Sequence, residues 1–345
     1  MTRQNTTNSA LLSVRGLKTY FYLDEGVVRA VDGISFDVER GQTVAIVGES
    51  GCGKSVAMRS ILGLVDPPGR IVGGQILLAE NAGHGKSRTA DLAQLDPNCA
   101  EFRNIRGKQI ALIFQEPMAS FSPVHTVGNQ IIEAIRLHRP VSRPAGRRLA
   151  VELLRHSGVP RPETRMNDYP HELSGGLLQR AMIAMALSCQ PAILIADEPT
   201  TALDVTTQAQ ILNLLRQLQR EHHMSIIFIT HDLGVVAEMA DIVVVMYLGR
   251  VVEKGPSEKV FGDPQHPYTK ALLRSIPSIR SGPQQRLESI AGSIPHPLQR
   301  PEGCPFHNRC GDFIAGKCDQ AEPKLMSHDA QHAVSCFLYS DVEES

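Results

Sequence analysis

The sequence predicts an α/β fold organised around a phosphate-binding loop, and three observations carry that reading. Gly48-Glu49-Ser50-Gly51-Cys52-Gly53-Lys54-Ser55 satisfies G-x-x-x-x-G-K-[ST]. Short apolar runs rich in β-branched residues (Thr43 to Val47, Gln109 to Phe114, Ala192 to Ala196, Ser225 to Thr230) alternate with helical stretches, as buried strands of an α/β core do. Leu11 to Ser35 alternates apolar and polar residues around Gly26 and Gly33, which reads as an antiparallel β-layer ahead of the loop.

The glycine loop stands in the right context. Thr43 to Val47 reads as a strand, and Val56 to Leu64 has helical composition with Met58, Ile61 and Leu62 on one side. Strand, loop and helix gather free backbone N–H groups and the positive end of a helix dipole at one spot. Lys54 is expected to reach the β- and γ-phosphates and the Ser55 hydroxyl to ligate Mg²⁺. A glycine turn matching by chance would lack the flanking strand and helix.

Composition narrows the class. Hydrophobic content of 42% and charged content of 21% are ordinary for a globular chain, and a net charge of -1 offers no argument for nucleic acid. No apolar run reaches the length of a membrane span, and Met1 to Ser9 lacks the apolar core of a signal peptide. The expectation is a cytoplasmic protein whose link to a membrane runs through a partner.

Further along, Tyr20, Phe21 and Tyr22 form an aromatic cluster in which one ring can stack on adenine; strand packing accounts for them equally well. From Asp66 to Arg106 the chain reads as loose, with a strand at Gly73 to Leu78 and a polar loop at Asn81 to Arg88. Gln115 ends the strand beginning at Gln109, where ligands sit in open α/β sheets. Thr126 to His138 and Ala145 to His156 read as helices. Ser174, Gly175 and Gly176 precede another helix and make a second anion-binding nest, most economically explained by a nucleotide held on another subunit. The strand Ala192 to Ala196 ends in Asp197 and Glu198, which fit a division of labour, with Asp197 near Mg²⁺ and Glu198 polarising an attacking water. Ser225 to Thr230 delivers His231 to the same sheet edge, and Ile242 to Leu248 with Arg250 to Glu253 reads as a hairpin around Gly249. After Phe261 prolines crowd the chain, and beyond a short helix at Thr269 to Ser275 the segment reads as an irregular appendage in need of a staple.

Seven cysteines are present, and Cys304, Cys310, Cys318 and Cys336 cluster with spacing C-x5-C-x7-C-x17-C. Four thiolates can hold Zn²⁺ or an iron–sulfur cluster. Tight C-x2-4-C knuckles are missing, which favours iron–sulfur, whereas His307, His328 and His332 keep a mixed zinc site open. A disulfide is disfavoured in a reducing compartment.

Taken in order, the parts resemble the ATP-binding subunits of ABC transporters over about residues 11–260. The resemblance implies a P-loop NTPase cassette with a RecA-like core, an antiparallel β-layer and a helical signature subdomain, followed by a small irregular domain over 261–345. Gly48 to Ser55 looks like Walker A, Gln115 the Q-loop residue, and Leu173 to Gly176 the signature. Leu194 to Asp197 looks like Walker B, Glu198 the catalytic glutamate, Ala202 to Asp204 the D-loop, and His231 the switch histidine. Phe21 best matches the adenine-stacking aromatic, and the Mg²⁺ set becomes Ser55, Gln115 and Asp197. Phe114 to Pro123, His266 to Leu273 and the Gly303 to Cys310 segment resemble the branch that imports oligopeptides, dipeptides and nickel. That branch also points to a [4Fe–4S] cluster on the four cysteines. Two departures stand out. Leu177 replaces the usual Met or Gln, and Glu80 to Arg103 is longer than usual, with no role assigned.

The resemblance implies an ATPase that drives peptide import from the cytoplasmic face of the membrane. Its implied partners are two transmembrane permeases, a second ATPase subunit (identical or related) and an extracytoplasmic substrate-binding protein. Nickel or another small solute is the alternative cargo. A soluble ABC-type ATPase of DNA repair or translation would carry a coiled-coil insertion or tandem cassettes, and a non-hydrolysing regulator would lose Glu198 or His231.

Overall fold

The computed structural model describes residues 10–80, 88–201, 203–275, 290–329 and 331–339. Most of the loop expected at Asn81 to Arg88, Ala202 of the D-loop, and Pro277 and Pro283 of the tail lie outside the described residues.

Strands β1 (Leu12–Leu23) and β2 (Gly26–Val38) form a hairpin whose alternation buries Leu12, Val14, Leu17, Val31, Ile34 and Phe36. β2 runs through Gly33 rather than stopping there, because the glycine takes φ +87° within the strand. β3 (Thr43–Val47) is buried along its whole length and delivers the glycine loop to α1 (Lys54–Ile61). β4 (Gly69–Glu80) begins earlier than its apolar residues indicate, since Thr19, Tyr20 and Phe21 of β1 pair with Ile71, Arg70 and Gly69. The stretch expected to be loose also supplies β5 (Arg88–Asp91), paired with β4, and α2 (Ala100–Ile105), whose first turn donates Phe102 N–H to the Cys99 sulfur at 3.3 Å.

The middle of the chain alternates strand and helix. β6 (Ile110–Ile113) leads to the one-turn α3 (Pro117–Ser120). Next come α4 (Val127–His138) and α5 (Arg143–His156), N-capped by Thr126 and Ser142. A short α6 (Pro162–Arg165) precedes α7 (Gly175–Ala186) and β7 (Ile193–Asp197). In α8 (Val205–His222) Ile211, Leu214, Leu215 and Leu218 recur at helical spacing and face the core. β8 (Ser225–Ile229), α9 (Leu233–Met239), β9 (Ile242–Tyr247) and β10 (Arg250–Pro256) follow. The expected hairpin turns at Gly249, which takes φ +79°. The C-terminal region adds α10 (Ser257–Gly262), α11 (Pro267–Arg274) and two short strands, β11 (Met326–Ser327) and β12 (Ala333–Val334).

The chain divides into two compact units. Among the described residues, one comprises those within 10–39, 43–94 and 230–339; the other comprises those within 40–42 and 95–229. The first holds the antiparallel sheet β2-β1-β4-β5 and the strand set β11-β12-β10-β9-β3, in which β3 and β9 run parallel. The second holds the parallel strands β8-β7-β6 and helices α3 to α8, with α4, α5 and α7 packed together. Among the described residues no helix is long and apolar enough to cross a membrane.

The described residues after 261, expected as an appendage, belong to the first unit. β12 pairs with β10, and Tyr268, Cys304, Phe306 and Cys318 lie in one hydrophobic cluster with Ala45 and Val47 of β3 and Tyr247 of β9. The rings of Tyr247, Tyr268 and Phe306 pack with centroids 4.7 to 5.3 Å apart. Polar anchors reinforce this core. Glu253, fully buried on β10, accepts the N–H groups of Gln265 (2.7 Å) and His266 (2.9 Å) and pairs with His332 Nε2 (2.7 Å). Asp32 on β2 is bound by Arg250 (3.0 Å), Arg300 (2.8 Å) and the Tyr20 hydroxyl (2.7 Å). Burial works to raise the Asp32 carboxyl, but the Tyr20 bond and the two guanidinium charges outweigh it and hold the group below the usual range.

Candidate functional site

The phosphate loop has the form that its glycines dictate. Gly48 takes φ +151°, and a Cβ there would stand 2.2 Å from the Met246 carbonyl oxygen. Gly53 takes φ +100°, and its Cβ would meet the Ala30 carbonyl oxygen at 2.1 Å. Both neighbours are backbone, so any side chain would push the loop off its strands. The Lys54 ammonium is buried at the centre of the loop and donates to the carbonyls of Gly48 (2.8 Å) and Glu49 (3.0 Å). Cys52 is buried beside it, and desolvation raises its thiol pKa. Ser50 and Gly51 occupy the outer turn, and Ser55 opens α1 directly after Lys54.

Of the three aromatic residues, Tyr20 is tied to Asp32 and Tyr22 lies under the Arg70 guanidinium at 4.2 Å. Phe21 is half-buried against Gly69, where a Cβ would approach its ring to 2.5 Å. His231 is exposed on the chain between β8 and α9, and the adjacent Asp232 caps α9.

In the second unit the acids at the end of β7 sit in a constrained turn. Glu198 adopts φ +45°, a left-handed conformation that costs a side-chain-bearing residue energy and collects at functional positions. Its N–H is held by the Ile229 carbonyl at 2.9 Å. Its carboxylate oxygen Oε2 accepts from Gln115 Nε2 (3.1 Å) and from the Thr201 hydroxyl (2.9 Å). Gln115, expected near metal or phosphate, is thus brought onto the candidate base. Sequence reasoning passes over Thr201, although its position three residues after Glu198 in a tight turn is a local signal. Asp197 closes β7, half-buried.

Ser174 stands at the N-cap of the 12-residue α7, and its hydroxyl makes no capping bond. Ser174 and Gly175 are exposed, and a Cβ on Gly175 would touch nothing closer than Leu203 at 3.9 Å; at Gly176 it would press on Thr207 at 2.8 Å. Ser174 and Gly175 therefore face outward, and Gly176 is a packing glycine. Leu177 is half-buried, consistent with a helix-packing role. Asp204 serves its own chain as the N-cap of α8, accepting from Thr207 N (3.0 Å) and the Thr207 hydroxyl (2.7 Å), and those bonds lower its pKa.

Cys304, Cys310, Cys318 and Cys336 line one cavity together with His266 and Phe306. Burial pushes the Cys304 thiol up to about 12 and Cys336 up to about 11, and raises Cys310 for the same reason. His266 is pushed down to about 3 by its burial, so it remains neutral. Among the described residues no group of three or more His, Cys, Asp or Glu side chains is disposed to hold a metal ion, so the expected metal centre is not formed as a ligand shell. His332 is committed to Glu253, which removes it from the mixed zinc set.

The tail also touches the phosphate loop. Arg309 grips Glu49 with both terminal nitrogens (2.7 and 3.0 Å), and the Glu49 N–H donates to the Tyr268 hydroxyl at 2.8 Å. The sequence marks Arg309 and Tyr268 only as part of segments shared with a branch of transporters, and nothing local signals a partner so distant.

Known proteins resemble this chain over most of its length. Residues 31–201 match the ABC transporter family model, and residues 252–318 match the model of the oligopeptide/dipeptide transporter C-terminal region. The oligopeptide transport ATP-binding protein AppD of Bacillus subtilis is 48% identical, the alignment covering 96% of this chain and 98% of that protein. The dipeptide transport ATP-binding protein DppD of Haemophilus influenzae is 47% identical, with 95% of each chain covered. Among solved structures, the dimeric ATP-binding cassette MJ0796 bound to ADP and Pi matches with a TM-score of 0.62 and 25% identity, covering 71% of this chain and 98% of that one.

Proposed function

The chain belongs to the ATP-binding subunits of ABC transporters, and from that premise we propose that it hydrolyses ATP to power a peptide importer at the cytoplasmic face of a membrane. The observation that carries hydrolysis is Glu198, held at φ +45° with Gln115 and Thr201 both donating to its carboxylate. A base so fixed can take a proton from an attacking water without reorganising. The assignment to peptides rests on the two relatives, named for oligopeptide and dipeptide transport, and on the C-terminal region that matches the peptide branch.

In this reading Gly48 to Ser55 cradle the phosphates, with Lys54 on the β- and γ-phosphates and Phe21 against the adenine. Ser55, Gln115 and Asp197 would hold Mg²⁺ through oxygen donors that suit a hard cation, and the ion would supply charge neutralisation at the phosphates. His231 acts at the γ-phosphate side, and Asp204 of the D-loop belongs to the nucleotide-binding set. Ser174, Gly175 and Gly176 cap the nucleotide of a second ATPase subunit, for which Ser174 and Gly175 are suitably exposed.

The permeases dock on the segment around α3. Phe114, Met118, Val124 and Tyr169 are large apolar side chains left exposed on or beside it. Val127 N–H bonds to the Asp168 carbonyl and ties the Val124 and Tyr169 segments together. A photo-crosslinker at Met118, used in membranes carrying the whole transporter, is expected to capture a permease. Products confined to the ATPase pair would overturn this docking. An extracytoplasmic binding protein completes the importer and selects the cargo.

The four cysteines line one cavity, and we infer that they are the donor set of an iron–sulfur cluster. The lack of tight C-x2-4-C knuckles, with His332 engaged elsewhere, weighs against zinc. Anaerobically purified protein is expected to be brown with about four irons per chain, and Cys310→Ser to bleach it while Mg-ATP binding persists. Colourless protein with stoichiometric zinc would reverse the assignment.

A further inference from the structure

Glu49 is the acidic residue of the phosphate loop. It places a carboxylate in the second position of a loop whose ligand is a polyanion, and like charges at close range oppose binding. The chain answers this from its far end. Arg309, 260 positions later, forms a bidentate pair with Glu49, and only 4% of the arginine side chain is exposed. Planar forks of this kind fix geometry as well as charge. Arg309 is itself held in place: Nε donates to the Ala291 carbonyl at 2.9 Å, Nη1 reaches the Tyr247 hydroxyl at 3.3 Å, and the guanidinium lies near the Tyr247 and Phe306 rings. The backbone of Glu49 is fixed independently, through the hydroxyl of the fully buried Tyr268. Side chain and main chain of one loop residue are thus both set by the C-terminal region.

We propose that Arg309 and Tyr268 are positioning residues of the phosphate loop: Arg309 neutralises and holds Glu49, and Tyr268 anchors its peptide, so that the loop meets the nucleotide already formed. This rests on the ATP-binding reading above. It also gives the C-terminal region a part in nucleotide binding. Arg309 lies in the segment between Cys304 and Cys310, with its N–H on the Phe306 carbonyl at 2.9 Å, so the cysteine cavity and the phosphate loop share one support.

The test is equilibrium binding of Mg-ATP and Mg-ADP to the full chain and its variants, with urea denaturation in parallel. Arg309→Met is expected to weaken ATP by about tenfold, because it leaves an unpaired carboxylate beside the phosphates. ADP, carrying less charge, should lose less. The double variant Arg309→Met/Glu49→Gln should recover most of the lost affinity, since the offending charge is gone. A merely structural role predicts no such recovery and no dependence on phosphate number. Tyr268→Phe keeps the ring packing and serves if Arg309→Met fails to fold; loss of one hydrogen bond is expected to weaken ATP by about threefold. Unchanged affinity in Arg309→Met, or equal weakness in the single and double variants, overturns the role of Arg309. Unchanged affinity in Tyr268→Phe overturns that of Tyr268. Wild-type protein that fails to bind Mg-ATP would instead refute the nucleotide site itself.

Discussion

Glu198→Gln is expected to lower ATP turnover by at least about a hundredfold while leaving Mg-ATP binding in place. The amide keeps the size of the carboxylate, and its carbonyl oxygen can still accept from Gln115 and the Thr201 hydroxyl, so the turn at φ +45° is preserved. What is lost is basicity: an amide cannot take the proton of an attacking water at neutral pH. Bound ATP then persists, and the dimer that closes around it should accumulate. Phosphate release measures the first effect, and size-exclusion chromatography with Mg-ATP the second. Turnover at the wild-type rate would remove Glu198 from the role of base.

Glu253→Ala is expected to destabilise the fold by about 3 to 5 kcal/mol. The carboxylate is fully buried and receives two backbone N–H groups and the His332 ring. Truncation strands all three donors in a place water reaches poorly. Two of them belong to the entry into α11, so α11 and β12 should loosen before the rest of the first unit. Urea denaturation gives the size of the loss, and limited proteolysis its location. Glu253→Gln, which can still accept one or two of these bonds, is expected to lose less. A loss in the alanine variant below about 1 kcal/mol, the range of exposed ion pairs, would show that the carboxylate is no anchor.

Where the sequence reads correctly, the determining interactions are local. Thr43 to Val47 is a strand because five small or β-branched residues in a row suit burial on both faces. Thr126 and Ser142 start helices because their hydroxyls serve the next free N–H groups. The apolar run at Ala192 to Ala196 forms β7, which ends at Asp197 beside Glu198. Most of the misses are non-local. Arg70 and Gly69 carry no strand signal of their own and are recruited by pairing with β1. The local exception is Cys99, which caps α2 through its sulfur, a role that no capping preference foretells. The tail reads as coreless because its apolar residues are few and spaced by prolines, yet Phe306 and Tyr268 complete a cluster begun by Val47 and Tyr247.

The pairing of β3 with β9 has a consequence for how the molecule is made. Thr43 and Asp241, bonded at 2.7 Å, lie 198 positions apart, and Glu49 and Arg309 lie 260 apart. Chains leave the ribosome N-terminus first and fold largely in that order. The glycine motif is therefore translated early and waits through most of synthesis for the strand beside it and for the arginine that quiets its carboxylate. A chain that terminates before residue 309 carries the complete motif without the grip on it.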